Sequence, residues 1–258
     1  MFSSKEFRTI ARDKLRGKWG RSVLVSFLAV LLGAEYFPDI LSNNPDYSVL
    51  LELRDPTVLK DVIQYGTAFL QDKAEYLSMV YGKNITASML LGGIAAVFVI
   101  SFILSLIGDV IDLGYKKYYI DLVLENRANK AGVLFSRFGI FFKAIGLRLY
   151  MGFFIILWSL LFIIPGIIAG FRYAMAPYIM AENPDIGIRE AVNMSKQMMD
   201  GHKARLFWLS LSFIGWDMLC VLTLNIGYLW LNPYMNAAQA AFYIERTGRG
   251  IPMAEPVQ

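Results

Sequence analysis

From Ala87 to Gly108 the chain runs for 22 residues without one Asp, Glu, Lys or Arg. About 20 mostly apolar residues in a helix cover the hydrocarbon core of a bilayer. In lipid the backbone must satisfy its own hydrogen bonds, so such a stretch is read as a membrane-spanning helix. Apolar residues make up 56% of the 258-residue chain, charged residues 18%, and the mean hydropathy is +0.47. A soluble interior has no room for that much apolar side chain, whereas a bilayer supplies it.

Further spans follow from the same criterion. Arg148 to Glu182 is too long for one crossing, and Pro165-Gly166 reads as a turn that splits it into 148–164 and 166–182. Asn225-Ile226-Gly227 likewise divides 205–224 from 227–245. The first span, 19–38, has a short apolar part, Ser22 to Ala34, that Trp19 and Tyr36-Phe37 extend as interfacial aromatics. A cleaved signal peptide competes for residues 1–34, but Leu32-Gly33-Ala34 is a poor cleavage site and the basic region is long. The expected fold is an all-α, polytopic membrane helix bundle, one domain with about six transmembrane helices in three hairpins plus interfacial amphipathic helices.

Charge placement orients it. Segments 1–21, 109–148, 183–205 and 246–258 hold seven, seven, four and two Lys or Arg, whereas loop 35–86 holds four against eight acids. The positive-inside rule puts both termini, 109–147 and 183–204 in the cytoplasm and 39–86 outside, in a plasma membrane.

Ser3-Ser4-Lys5-Glu6 is a capping box. Phe7, Ile10, Ala11 and Leu15 share one face of the helix it opens (1–18), with Lys5, Arg8, Arg12 and Arg16 around the other side. Two readings stand: an interfacial helix whose cations contact anionic lipid headgroups, or a cytoplasmic helix packed on the bundle. Residues 185–200 give a second amphipathic helix through Ile188, Ala191, Val192, Ser195, Met198 and Met199. The outer loop carries a helical pattern from Val58 to Tyr81 and a weak glycosylation sequon at Asn84-Ile85-Thr86. Gly166 and Gly170 form a small-residue pair suited to close helix packing. The segment Gly17-Lys18-Trp19-Gly20-Arg21 before span one resembles Gly201-His202-Lys203-Ala204-Arg205 before span five, which reads either as an internal repeat or as the ordinary composition of an inner membrane boundary.

Ala11-Arg12-Asp13-Lys14-Leu15-Arg16-Gly17-Lys18-Trp19-Gly20, the Pro165-Gly166 turn, Tyr178…Glu182-Asn183-Pro184, Ser195…Gly201-His202-Lys203 and Phe213-Ile214-Gly215-Trp216 resemble the bacterial domain-of-unknown-function 975 family. The resemblance leaves out the long 35–86 loop. It implies a polytopic membrane protein and brings no catalytic residues.

Nucleotide-binding, hydrolase and CxxC motifs do not occur. One histidine, His202, and one cysteine, Cys220, rule out a zinc site built from several such ligands. No cofactor, metal or catalytic residue is expected, and the basic residues flank spans, which leaves nothing for nucleic acid. Arg172 and Asp217 stand out as charges inside apolar spans at similar depths. They read as a buried ion pair that fixes helix contact or as a proton or substrate relay. The expected role is non-enzymatic, structural or accessory, with membrane lipids and a membrane-protein partner or second copy as partners. A small-solute or peptide transporter using Arg172 and Asp217 is the rival.

Overall fold

The computed structural model describes residues 2–32, 64–65, 67–68, 71–76, 78–79, 87–125, 129–223 and 225–252. The expected outer helix and the sequon lie largely outside these, though residues 71–76 are helical. The chain divides into two compact units, one of residues 1–36 and 106–258 and one of 37–105.

Among the described residues the structure is helical without strands. The helices are α1 (Ser4–Leu15), α2 (Trp19–Leu31), α3 (Ala87–Leu124), α4 (Phe141–Leu161), α5 (Ile163–Tyr173), α6 (Ala176–Glu182), α7 (Ile188–Met198), α8 (Lys203–Leu211), α9 (Ile214–Leu222) and α10 (Tyr228–Arg246). Two 3-10 turns, Ala131–Phe135 and Phe138–Ile140, precede α4. Three segments are long and apolar enough to cross a membrane, Leu91–Leu124, Ala131–Leu161 and Lys203–Leu222, and Trp19–Leu31 is a shorter apolar helix. Three of the six expected spans thus coincide with segments that have the length and composition to cross.

Helix boundaries depart from the hydropathy boundaries for local reasons. The span expected to end at Gly108 continues as helix to Leu124, 38 residues in all. At ~1.5 Å per residue that is about 57 Å, well beyond a ~30 Å hydrocarbon core. The charges that end the apolar run do not end the helix, because Lys116 pairs with Asp112 and Lys117 with Asp121 one turn apart. The segment expected to be nonspanning up to 147 already turns helical at Phe141.

The break between α4 and α5 falls at Phe162, which is extended (φ −159, ψ 149), rather than at Pro165-Gly166. Pro165 sits in the first turn of α5, where its missing N–H has no helical acceptor to lose. Gly166 does matter there: a Cβ would overlap Ser159 of α4, whereas one at Gly170 would meet open space. The span expected over 166–182 is broken again at Ala174-Met175, before α6, with Pro177 in its first turn. The one expected over 205–224 breaks at Ser212-Phe213. The turn at Asn225 is as expected. Asn225 adopts φ 68, and a Cβ on Gly227 would come within 2.7 Å of Cys220 Sγ.

The N-terminal helix forms with its full capping box, Ser3 Oγ accepting from Glu6 N–H and the Glu6 carboxylate from Ser3 N–H. Its apolar face is buried against α10 and α8, the bundle-packed alternative, with the Phe7 ring 5.4 Å from Phe242.

The two entrances that look alike in sequence share one geometry. Gly17 (φ 73) and Gly201 (φ 70) both end an amphipathic helix in the left-handed conformation that glycine adopts without strain. Lys18 (φ −123, ψ 4) and His202 (φ −120, ψ −1) then cap the following helices. Counted from each glycine, six buried positions coincide, Phe7 with Ala191, Ala11 with Ser195, Leu15 with Met199, Ser22 with Leu206, Val25 with Leu209 and Ala29 with Phe213, whereas Ile10, Lys14 and Ser26 match Met194, Met198 and Ser210, which are not buried.

Candidate functional site

Polar side chains gather in three places within the unit of residues 1–36 and 106–258. The first is a buried hydroxyl cluster. Helix α3 presents Tyr115, Tyr118 and Tyr119 at intervals that bring them to one side, with ring centroids of adjacent pairs 5.0 and 5.1 Å apart, edge to face. Helix α2 meets them with its only two serines. Ser22 Oγ lies 3.0 Å from the Tyr118 hydroxyl, and Ser26 Oγ lies 2.8 and 2.9 Å from those of Tyr115 and Tyr119. Asn236 Nδ2 of α10 donates to Tyr115 at 3.4 Å. Each member is buried, so each bond avoids the cost of an unpaired polar group. Nothing in hydropathy pointed to this cluster. The spacing of Ser22 and Ser26, one helical turn apart on the buried face of α2, was the available signal.

The second is a set of clamps. Glu182, at the end of α6, accepts Tyr243 Oη at 2.7 Å and a two-pronged contact from Arg249 at 2.5 and 2.8 Å. Hydrogen bonding to Glu182 raises the Arg249 guanidinium further above its ordinary range. Glu245 accepts Arg205 at 2.9 Å and the Phe2 N–H at 2.9 Å, and Arg205 also donates to the Phe2 carbonyl at 2.6 Å. The Arg205 guanidinium lies 5.8 and 5.7 Å from the Phe7 and Phe242 rings. This one side chain therefore ties α1, α8 and α10.

The third is Ser195 of α7, fully buried against the α5–α6 break. Its hydroxyl donates to the Arg172 carbonyl at 2.9 Å and accepts from Met175 N–H at 3.2 Å.

No ion pair or hydrogen bond joins Arg172 to Asp217. Arg172 is exposed in the last turn of α5, and Asp217 Oδ1 in the first turn of α9 is buried without a hydrogen-bond partner. Matching depth along two helices left their facing directions open. Of the expected headgroup contacts, Lys5, Arg12 and Arg16 are exposed. Arg8 is half-buried, its Nη1 donating to the Ser212 carbonyl at 3.3 Å. His202 caps α8, Cys220 is a buried free thiol, and the described residues hold no cluster of three metal-ligating side chains.

No curated protein and no solved structure matches the chain. A family model described as "Protein of unknown function (DUF975)" matches residues 160–249, which supports membership of that family. The matched stretch holds the Pro165-Gly166, Ser195, His202-Lys203 and Phe213-Ile214-Gly215-Trp216 segments.

Proposed function

We propose that this member of a family of unknown function is an integral plasma-membrane protein with six bilayer segments in three hairpins and both ends in the cytoplasm. Its role in this reading is structural or accessory: it organises lipid or serves a transport or envelope system, and it performs no chemistry itself. The observation that carries the reading is how Glu182 and Glu245 are used. Acids that would serve as bases or ligands are held by Arg249, Tyr243 and Arg205, and they tie α1, α6, α8 and α10 together. Asp112 and Asp121 of α3 are likewise held by lysines on the same helix. Such fixed pairs specify one arrangement of helices more than they supply a mobile proton.

The rival is a small-solute or peptide transporter. One observation favours it: Asp217 keeps a buried oxygen without a partner, as a carboxylate that takes a proton or solute in the membrane does. Reconstitution separates the two. In liposomes enclosing a pH dye, with a potential imposed, the structural reading expects proton leak at the level of empty vesicles. Leak well above that level, abolished by Asp217→Asn, overturns it in favour of transport.

A further inference from the structure

The apolar segment that contains α4 runs from Ala131 to Leu161, so it takes in both 3-10 turns. Its 31 residues reach about 46 Å at ~1.5 Å per residue, against a hydrocarbon core of ~30 Å. Counted back from Leu161, the ~20 residues that fill such a core end at Phe142. The two turns therefore stand beyond the core, at the depth of the headgroups.

This stretch has two sides. On one, Leu134 is fully buried, and its carbonyl lies so close to Gly114 that a Cβ there would overlap it. Arg137 Nε donates to the Ala181 carbonyl at 2.7 Å, and Lys143 Nζ donates to the carbonyls of Pro184 and Asp185 at 3.1 Å each. These contacts fix the orientation of the stretch and its level, beside the connection between α6 and α7. On the other side Phe135, Phe138 and Phe142 are exposed, Phe142 at 85%. The Phe135 and Phe138 rings lie 5.7 Å apart, tilted by 32°. Phe142 also begins a stripe of exposed apolar side chains that continues along α4 through Leu149, Phe153 and Leu160. Steps of seven, four and seven residues keep these on one helical face.

Three neighbouring exposed phenylalanines mark a face that meets more than water. Charge decides what covers it. Residues 126–148 carry five Lys or Arg and no Asp or Glu. Cations flanking exposed rings suit a leaflet that contains anionic lipid: the headgroups attract the charges while the rings enter the acyl boundary. Continuity with the stripe of α4, the face that a spanning helix turns to lipid, points the same way. Arg148, on the same helix, has its charge met within the protein by Asp109 at 3.8 Å.

We propose that the face of Phe135, Phe138 and Phe142 is seated in the cytoplasmic leaflet, with its rings at the boundary between headgroups and acyl chains. The proposal rests on the membrane reading above. It moves residues 131–142 into the interface, whereas hydropathy alone leaves 109–147 in the cytoplasm.

The test uses the full chain in a Cys220→Ala background with one added cysteine, Phe142→Cys, labelled with the environment-sensitive dye nitrobenzoxadiazole. It is reconstituted into vesicles of phosphatidylcholine and phosphatidylglycerol, with part of the phosphatidylcholine bearing a nitroxide near the top or near the end of an acyl chain. The label at 142 emits to the blue of one at Asn193→Cys, an exposed position of α7, and the shallow nitroxide quenches it several-fold more than the deep one. Phe135→Cys reports on the same face if Phe142→Cys does not fold, and gives the same ordering. A label at either position that is as red and as unquenched as the one at 193 puts the face in water and overturns the proposal. A blue-shifted label that neither nitroxide reaches means that protein, a second copy or another partner, covers the face, and overturns it too. Phe153→Cys, in the middle of α4, isolates the premise: the deep nitroxide quenches its label most. Absence of quenching at 153 sinks the membrane reading, whereas quenching at 153 with none at 142 sinks the interfacial face alone.

Discussion

Replacing Ser195 with alanine tests whether one hydroxyl holds the α5–α6 break. The side chain is fully buried, donates to the Arg172 carbonyl at 2.9 Å and accepts from Met175 N–H at 3.2 Å. Both backbone groups sit at a helix interruption, where the regular hydrogen-bond ladder does not serve them. Ser195→Ala removes one hydroxyl and strands two buried groups. Each stranded group costs ~1–3 kcal/mol. Some relaxation of α7 recovers part of this, so the net loss is about 2–4 kcal/mol, a large share of the ~5–15 kcal/mol that holds a typical domain folded. For a chain of this size each kcal/mol moves Tm by ~2–4 °C, so the drop should fall between roughly 4 and 16 °C. The assay is thermal unfolding in dodecyl maltoside followed by far-UV circular dichroism. Asn193→Ala, an exposed change on the same helix, should shift Tm by less than about 2 °C. A Ser195→Ala protein that melts with wild type would refute the reasoning, because it would mean that the break satisfies itself.

Three further outcomes follow from the packing. Lys14→Met should stabilise the protein by roughly 1–3 kcal/mol at neutral pH, since burial and the Lys18 charge lower the Lys14 pKa and its nitrogen has no partner. A lysine depressed in the folded state leaves the unfolded chain holding more protons, so wild-type stability should rise with pH up to about the unfolded lysine value near 10.4. That slope should flatten in Lys14→Met, and an unchanged slope counts against the assignment. Gly114→Ala should destabilise by ~1–3 kcal/mol in the same melts, because a Cβ there would overlap the Leu134 backbone carbonyl, which cannot swing aside as a flexible side chain would. Arg172→Met and Asp217→Leu should combine additively within ~0.5 kcal/mol, as unpaired residues do, and a double variant closer to wild type than their sum would restore the pair.

The parts of the fold that rest on local patterns were legible in the sequence. The Ser3–Glu6 capping box, the stripe of α7 through Ala191, Val192 and Ser195, and the turn at Asn225 all follow from neighbours within a few residues. Helix ends set by pairing or packing were not. Asp112 and Asp121 look like the end of a span until their lysine partners one turn away are seen on the same helix. Pro165 is a strong turn signal that the helix accommodates by starting two residues earlier, at Ile163. Arg172 and Asp217 drew attention through hydropathy, which reports depth and not direction, so their lack of contact could not be read from it. The tyrosine–serine cluster offered only the one-turn spacing of Ser22 and Ser26: these serines and the three tyrosines are ordinary in a span, and only α2 meeting α3 makes them a network.

The claim on which the rest depends is that both termini and the basic segments share the cytoplasmic side. Single cysteines at exposed positions, Tyr65→Cys, Lys130→Cys, Asn193→Cys and Arg249→Cys, are placed in a Cys220→Ala background and treated in intact cells with a membrane-impermeant maleimide. The account predicts labelling at position 65 alone, with the other three reacting only after the membrane is opened. Labelling of Asn193→Cys from outside would place the α6–α8 connection on the wrong face and contradict the six-segment topology.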